Sequence, residues 1–366
     1  MPLIEEVNEK RREIRTDGYA MSISEWISLY ENNEVDIHPE FQRFYRWGDA
    51  QKTNLIESIL LGIPIPPVFV SQRADGVWDV VDGLQRLSTI FQLVGILKNE
   101  EGKKEPSLQL FGTKYLPSLG NKKWEDEDNP ENELPSELKL IIKRSKINVS
   151  IILKESDENA KYDLFQRLNT GGSSLSPQEV RNCLLVMINK DFYKWMLALS
   201  KFEPFQDCIA LSDRPLSEAY DMELVLRFMI FALIDKAELT ELNDVGVFLT
   251  ERMTEKAADK SFDFDMWQQL FEATFTKLRD EVGEDSFKRF HIVKQKFLGG
   301  FLLSQFEVVS YGLAWNIHHK TPIANIRERI ASIWSDDRYT NWSGSGVTAT
   351  RRLKRILPLG REVFHA

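Results

Sequence analysis

Asp82, Gly83, Gln85 and Arg86 stand together in the stretch VVDGLQRLSTIFQLVG, residues 80–95, where strand-forming residues give way to a helical pattern. Two readings suit such a junction. An Asp-Gly turn followed by a surface arginine needs nothing more than those residues. A phosphate site needs free backbone N–H groups at a helix start, a glycine that admits close approach, and a guanidinium fork one turn in, which Arg86 supplies. In the second reading Asp82 orients water, holds a metal through water, or binds a ribose hydroxyl.

The run LFQRLNTGGSSLSPQEVRN, residues 164–182, places Asn169, Thr170, Gly171 and Gly172 in a small polar loop ahead of a helix start. Ser176, Pro177 and Glu179 occupy the N-cap, first and third positions of that helix. Such a loop presents backbone amides and the Asn169 amide to a phosphate or hydrated magnesium, or its glycines merely permit a turn between helices. The Walker pattern of glycines followed by Lys-Ser/Thr is missing.

In HPEFQRFYRW, residues 38–47, Gln42 and Arg43 sit among Phe41, Phe44, Tyr45 and Trp47. The mixture suits stacking on a nucleotide base or simple core packing. A fourth run, SGSGVTATRRLKRI at 343–356, gathers Arg351, Arg352, Lys354 and Arg355 into the best local basic patch, either a nucleic-acid contact or the solvated face of a terminal helix. His318 and His319 sit near Asn325 but have no acidic residue immediately before them and no third histidine until His365, so they are expected at a solvent-facing helix end. No nuclease motif is found.

Elements that would position these residues follow from local patterns. Ser22 and Glu25 have capping-box spacing for a short helix. Leu55, Ile56, Ile59 and Leu60 form an apolar stripe on a second helix, with Asp49 expected to cap it and Gly62 to end it. The prolines of IPIPPVFVSQ exclude a helix, so Val68–Val70 is expected as a strand, with the turn RADG leading to a second strand, VWDVVD. A helix over about 87–97 follows. The charged, proline-broken run KKWEDEDNPENELPSE is expected as a surface excursion, SKINVSIIL as another strand, and helices dominate from about residue 157.

The 366 residues are long enough for two domains, and 47 basic against 56 acidic residues give a net charge of −9, which argues against coating nucleic acid by charge alone. The apolar run FMIFALI is too short to span a bilayer. The N-terminus lacks the apolar core of a signal peptide, so the expected location is cytoplasmic, with no membrane partner. Cys183 and Cys208 are the only cysteines and suggest neither a disulfide framework nor zinc.

In their order, IHPEFQRFYRW, LIESILLGIPIPPVFV, VVDGLQRLSTI, FQRLNTGGSSLSPQEVRN and SGSGVTATRRLKRI resemble the GmrSD-type restriction-system N-terminal domain family, formerly a domain of unknown function, over about residues 20 to 356. That domain is similar to the ParB/sulfiredoxin superfamily. The resemblance implies an α+β fold: a small ParB/sulfiredoxin-like mixed α/β domain over 1–155, carrying the D-G-x-Q-R motif, followed by a mainly helical domain over 156–366. It implies a nucleoside triphosphate-binding and hydrolysing, Mg2+-dependent module of bacterial defence against phage. In many relatives the domain is joined to a His-Asn-His nuclease domain; this chain ends at Ala366 without one, so a stand-alone regulator or sensor controlling a separately encoded nuclease or toxin is expected.

The family's D-G-Q-Q-R motif falls on Asp82 to Arg86, with Leu84 at its third position, where no polar contact is available. Its Q-R pair falls on Gln42 and Arg43, and its N-T-G-G loop on Asn169, Thr170, Gly171 and Gly172. By this analogy Asp82 and Arg86 carry catalysis, Asn169 meets the metal, and Gln42, Arg43, Gly83, Gln85, Arg86 and the N-T-G-G loop bind nucleotide of unknown base. Two other classes are compatible with the residues: a non-catalytic DNA-binding or antitoxin-like module using Arg351, Arg352, Lys354 and Arg355, and a kinase that passes phosphate to an acceptor.

Overall fold

The computed structural model describes residues 3–7, 15–37, 47–99, 101–156, 176–344 and 346–365. Gln42, Arg43, Asn169, Thr170, Gly171 and Gly172 lie outside the described residues. The fold is α+β, and the chain divides into two compact units, Met1–Leu175 and Ser176–Ala366. Helices of seven residues or more are numbered below.

The first unit is built on a mixed five-stranded sheet, ordered β1-β5-β3-β4-β2. Its strands are β1 (Thr16–Ser22), β2 (Val35–Asp36), β3 (Val68–Gln72), β4 (Trp78–Asp82) and β5 (Lys146–Ile152). The Arg73–Gly76 turn joins β3 and β4 into the expected antiparallel hairpin, whereas β3 runs parallel to β5 and β2 parallel to β4. Asp79, Val80 and Val81 are all buried, so β4 is covered on both faces. An interior strand of this kind presents its last residue at a fixed place.

Four helices accompany the sheet: α1 (Ile23–Glu31), α2 (Asp49–Leu60), α3 (Leu84–Leu93) and α4 (Ser136–Arg144). The Ser22 hydroxyl accepts from the Glu25 amide at 3.2 Å, as the capping spacing predicts. The α2 stripe is apolar at Leu55, Ile56 and Ile59, but Gly48 rather than Asp49 is its N-cap. The Gln51 side chain takes the Gly48 N–H at 3.1 Å, leaving Asp49 as the first helical residue, where its charge favours the helix dipole. Leu87, Ile90, Phe91 and Leu93 on α3 are fully buried, with Phe91 stacked on Tyr30 at 4.3 Å. Each such aliphatic side chain contributes about 1.5–3 kcal/mol.

The stretch between α3 and α4 is less superficial than its charge suggests. Trp124, Asp126 and Leu134 are buried, Lys139 and Lys143 lie over the Trp124 ring, and the buried Glu57 of α2 accepts from Thr113 and from the Leu116 amide. A few apolar anchors and the buried carboxylates of Glu57 and Asp126 thus hold a segment whose composition reads as solvated.

The second unit is mainly helical: α5 (Pro177–Ile188), α6 (Lys190–Ser200), α7 (Glu203–Ile209), α8 (Tyr220–Phe231), α9 (Val245–Ala258), α10 (Phe264–Glu281), α11 (Leu303–His318), α12 (Ile326–Ser332) and α13 (Ala349–Val363). The α5 start is a reciprocal cap, with Ser176 accepting from the Glu179 amide and Glu179 from the Ser176 amide. Asn189 separates α5 from α6, because its side chain caps α6. Phenylalanines 205, 228, 271, 275 and 306 form the centre of this core. A short antiparallel pair, β6 (Arg289–His291) and β7 (Lys296–Leu298), stands apart from the helices in sequence. Among the described residues no helix is long and apolar enough to cross a membrane.

Candidate functional site

The D-G-x-Q-R motif is the end of β4, a left-handed residue and the first turn of α3. Gly83 has φ +99°, and a Cβ there would lie 2.8 Å from Val68 Cγ2 and 3.3 Å from Val68 Cα, so both the backbone angle and the space require glycine. This turn starts α3 at Leu84, three residues earlier than the apolar pattern suggests. Leu84 is then buried at the first helical position, which accounts for an apolar residue there.

Asp82 and Arg86 meet across that turn. Arg86 Nη2 donates to Asp82 Oδ2 at 2.8 Å, and Nη1 donates to the Pro66 carbonyl at 3.0 Å. The Arg86 side chain is 10% exposed and that of Asp82 33%. The guanidinium is therefore a strut between the proline segment and the strand end, while the carboxylate keeps one oxygen without a hydrogen bond among the described residues. Gln85 completes the junction: its side-chain oxygen accepts the Trp47 N–H at 3.0 Å. That contact lies 38 positions apart in the chain, and no local pattern signals it.

The flanks of residues 38–46 are thereby fixed at β4. Trp47 is held by Gln85, and on the other side Asp36 pairs with Arg73 at 2.7 Å, with Asp79 on the same guanidinium. Burial pulls the Arg73 pKa down, but the Asp79 and Asp36 carboxylates outweigh it and raise it, so Arg73 remains a cation that ties β2 to the hairpin. The arrangement brings Asp82, Gly83, Gln85 and Arg86 together and anchors both neighbours of the segment that carries Gln42 and Arg43.

The C-terminal basic run is dispersed by α13. Arg352 is engaged in the fork of the fully buried Glu307, at 2.6 and 3.0 Å. Lys354 donates to the Thr240 carbonyl, and Arg355 lies over the Trp342 ring at 5.3 Å. Arg351 and Arg355 are exposed. His318 and His319 are exposed at the end of α11, with His319 stacked on Trp315. Among the described residues no group of three or more His, Cys, Asp and Glu side chains is placed to hold a metal ion.

Glu307 also belongs to a line of alternating charge that sequence reasoning does not reveal. Arg181 of α5 pairs with Glu223 of α8 at 2.7 Å, Glu223 with Arg227 at 2.8 Å, and Arg227 approaches Glu307 at 3.6 Å. With Arg352, three guanidinium groups share two carboxylates on α5, α8, α11 and α13. Burial lowers the Arg181 pKa, whereas at Arg227 the carboxylates outweigh burial and raise it. The sequence signal is the Glu223–Arg227 spacing, which more often marks an exposed helix face.

Residues 23–186 match the family described as the GmrSD restriction endonuclease, N-terminal domain. The match takes in the first four motif runs and ends within α5; the run at 343–356 lies beyond it. No curated protein and no solved structure matches the chain. The likeness to the GmrSD restriction endonuclease N-terminal domain thus covers residues 23–186, the stretch that holds the Asp82–Arg86 junction.

Proposed function

We propose that the protein is a nucleoside triphosphate-binding and hydrolysing regulator of a bacterial restriction-type defence system, acting on a separately encoded nuclease or toxin. The family match supports the restriction context. The observation that carries the nucleotide reading is the Asp82–Gly83–Arg86 junction: a carboxylate with one oxygen unengaged among the described residues, at the start of a ten-residue helix, held by a buried arginine.

Phosphoryl transfer to water is mostly positioning and charge stabilisation. In this proposal the first amides of α3 and the helix dipole hold phosphate oxygens, and Gly83 keeps side-chain bulk out of their way. Asp82 orients the attacking water. Arg86 fixes the Asp82 carboxylate and contributes positive charge behind it, a positioning role that suits its burial. Gln85 holds Trp47, and Gln42 and Arg43 would grip the nucleotide.

A hydrated magnesium ion needs few protein ligands, provided they are hard oxygens. Asp82 meets that requirement, and Asn169 supplies an amide oxygen; Thr170, Gly171 and Gly172 would add backbone donors to phosphate. Bound Mg2+ would neutralise charge on the phosphate oxygens.

The test is phosphate release by the full chain with each of ATP, GTP, CTP and UTP plus magnesium. Turnover lost in Asp82→Asn, with nucleotide still bound, supports the assignment; equal turnover in wild type and variant refutes it.

A further inference from the structure

Between Asp285 and Glu307 the chain has no acidic residue, yet it carries Lys288, Arg289, Lys294 and Lys296 within a protein of net charge −9. These residues surround the β6–β7 hairpin, whose register pairs Arg289 with Leu298, Phe290 with Phe297 and His291 with Lys296. Directly paired residues share a face, so the two phenylalanines, 5.0 Å apart, occupy one side and Arg289, His291, Lys296 and Leu298 the other. Phe297 is buried under Arg327, which fixes the aromatic side inward. The opposite side is cationic.

The tip is apolar and exposed: Ile292 is 48% and Val293 88% accessible. Lys288 is neutralised by Glu284 and Asp285. Arg289, Lys294 and Lys296 have no carboxylate partner among the described residues; Arg289 lies over the Trp334 ring at 5.6 Å. Beside the hairpin is a cleft of about 510 Å³, lined by Arg289, His291 and Ile292 together with Trp334, Thr340 and Ser343. The chain continues from Ser343 and Gly344 into α13, where Arg351 and Arg355 are exposed.

We propose that the β6–β7 hairpin is a double-stranded DNA contact, with Arg289, Lys294 and Lys296 on phosphates and Ile292 and Val293 inserted against base edges. A two-stranded ribbon fits the width of a major groove, where exposed aliphatic side chains at its tip can make apolar contact with thymine methyl groups. The Ser343 hydroxyl adds a donor for phosphate oxygens. Two aliphatic side chains bury too little area for stable membrane anchoring, which disfavours a lipid surface. The uncompensated charge selects a polyanion. This contact stands independently of the nucleotide reading, because it lies on other residues in the other unit.

The test is fluorescence anisotropy of the full chain with a short labelled duplex, at salt concentrations from about 50 to 200 mM. Lys294→Ala/Lys296→Ala is expected to weaken binding about tenfold at low salt and to flatten the slope of log affinity against log salt by about 2. Ile292→Ser/Val293→Ser is expected to weaken binding with the slope retained. Circular dichroism and nucleotide binding of the same variants keep a folding defect, or a failure of the nucleotide site, distinct from a loss of DNA contact. Wild-type affinity and slope in both variants would overturn the proposal. So would absence of duplex binding by the wild type, or equal binding to anionic phospholipid vesicles or heparin at the same salt.

Discussion

Arg86 and Asp82 are joined at 2.8 Å across the first turn of α3, and the same guanidinium holds the Pro66 carbonyl at 3.0 Å. One arginine thus fixes the carboxylate at the strand end relative to the proline segment that precedes β3. Geometry and charge at this junction can be separated by substitution.

Arg86→Lys retains the charge but not the fork, so one of the two contacts is lost. The expected cost is about 1.5–3 kcal/mol, the range for a hydrogen bond to a charged group. Urea unfolding measures it, and an unchanged midpoint would remove the strut role.

Gly83→Ala should destabilise the first unit by about 2 kcal/mol or more, through a positive φ and a Cβ pressed against Val68. Gly83→Asn separates the two causes. Asparagine tolerates positive φ, but its Cβ meets the same valine. Stability near wild type in the asparagine variant would show that the backbone angle alone matters.

Glu307→Ala leaves Arg352 without its buried counter-charge, while Arg227 keeps Glu223, for an expected loss of about 3–5 kcal/mol. Glu307→Gln, which still accepts hydrogen bonds, should cost less. Equal, small losses in both would mean that water replaces the carboxylate.

Burial pushes Tyr220 and Tyr339 up to about 12 from the usual 10.0. The folded state therefore keeps protons that the unfolded state has already released above pH 10. The stability this represents is complete below pH 10 and is lost as pH rises through about 12. Tyrosinate absorbance and circular dichroism, followed together, should show these tyrosines ionising as the second unit unfolds. Burial raises Cys208 to about 12 in the same way, so its thiol should resist alkylation until that unfolding.

Local chemistry was legible where neighbours in sequence are neighbours in space. Ser176 and Glu179 announce the start of α5, RADG announces the hairpin, and Asp82-Gly83 marks the passage from strand to helix. The partners of the same residues were not legible when they lie far along the chain. Nothing around Arg86 points to Pro66, and nothing around Gln85 points to Trp47. Arg352 resembles its exposed neighbours Arg351 and Arg355 in the sequence, and only the packing of α13 against α11 turns it toward Glu307. The cationic hairpin is not legible in the sequence because Phe290, His291, Ile292, Val293 and Gln295 separate its basic residues, so no continuous charge run appears.

The proposed nucleotide site turns on Asp82. Phosphate release by the full chain with magnesium and each of the four nucleoside triphosphates, set beside nucleotide affinity in wild type and Asp82→Asn, tests it most directly. The expected result is turnover by the wild type, loss of about 100-fold or more in the variant, and affinity changed far less, as removal of a positioned catalytic group implies. Undiminished turnover in Asp82→Asn, or a folded wild type that neither binds nor hydrolyses any of the four, would contradict it.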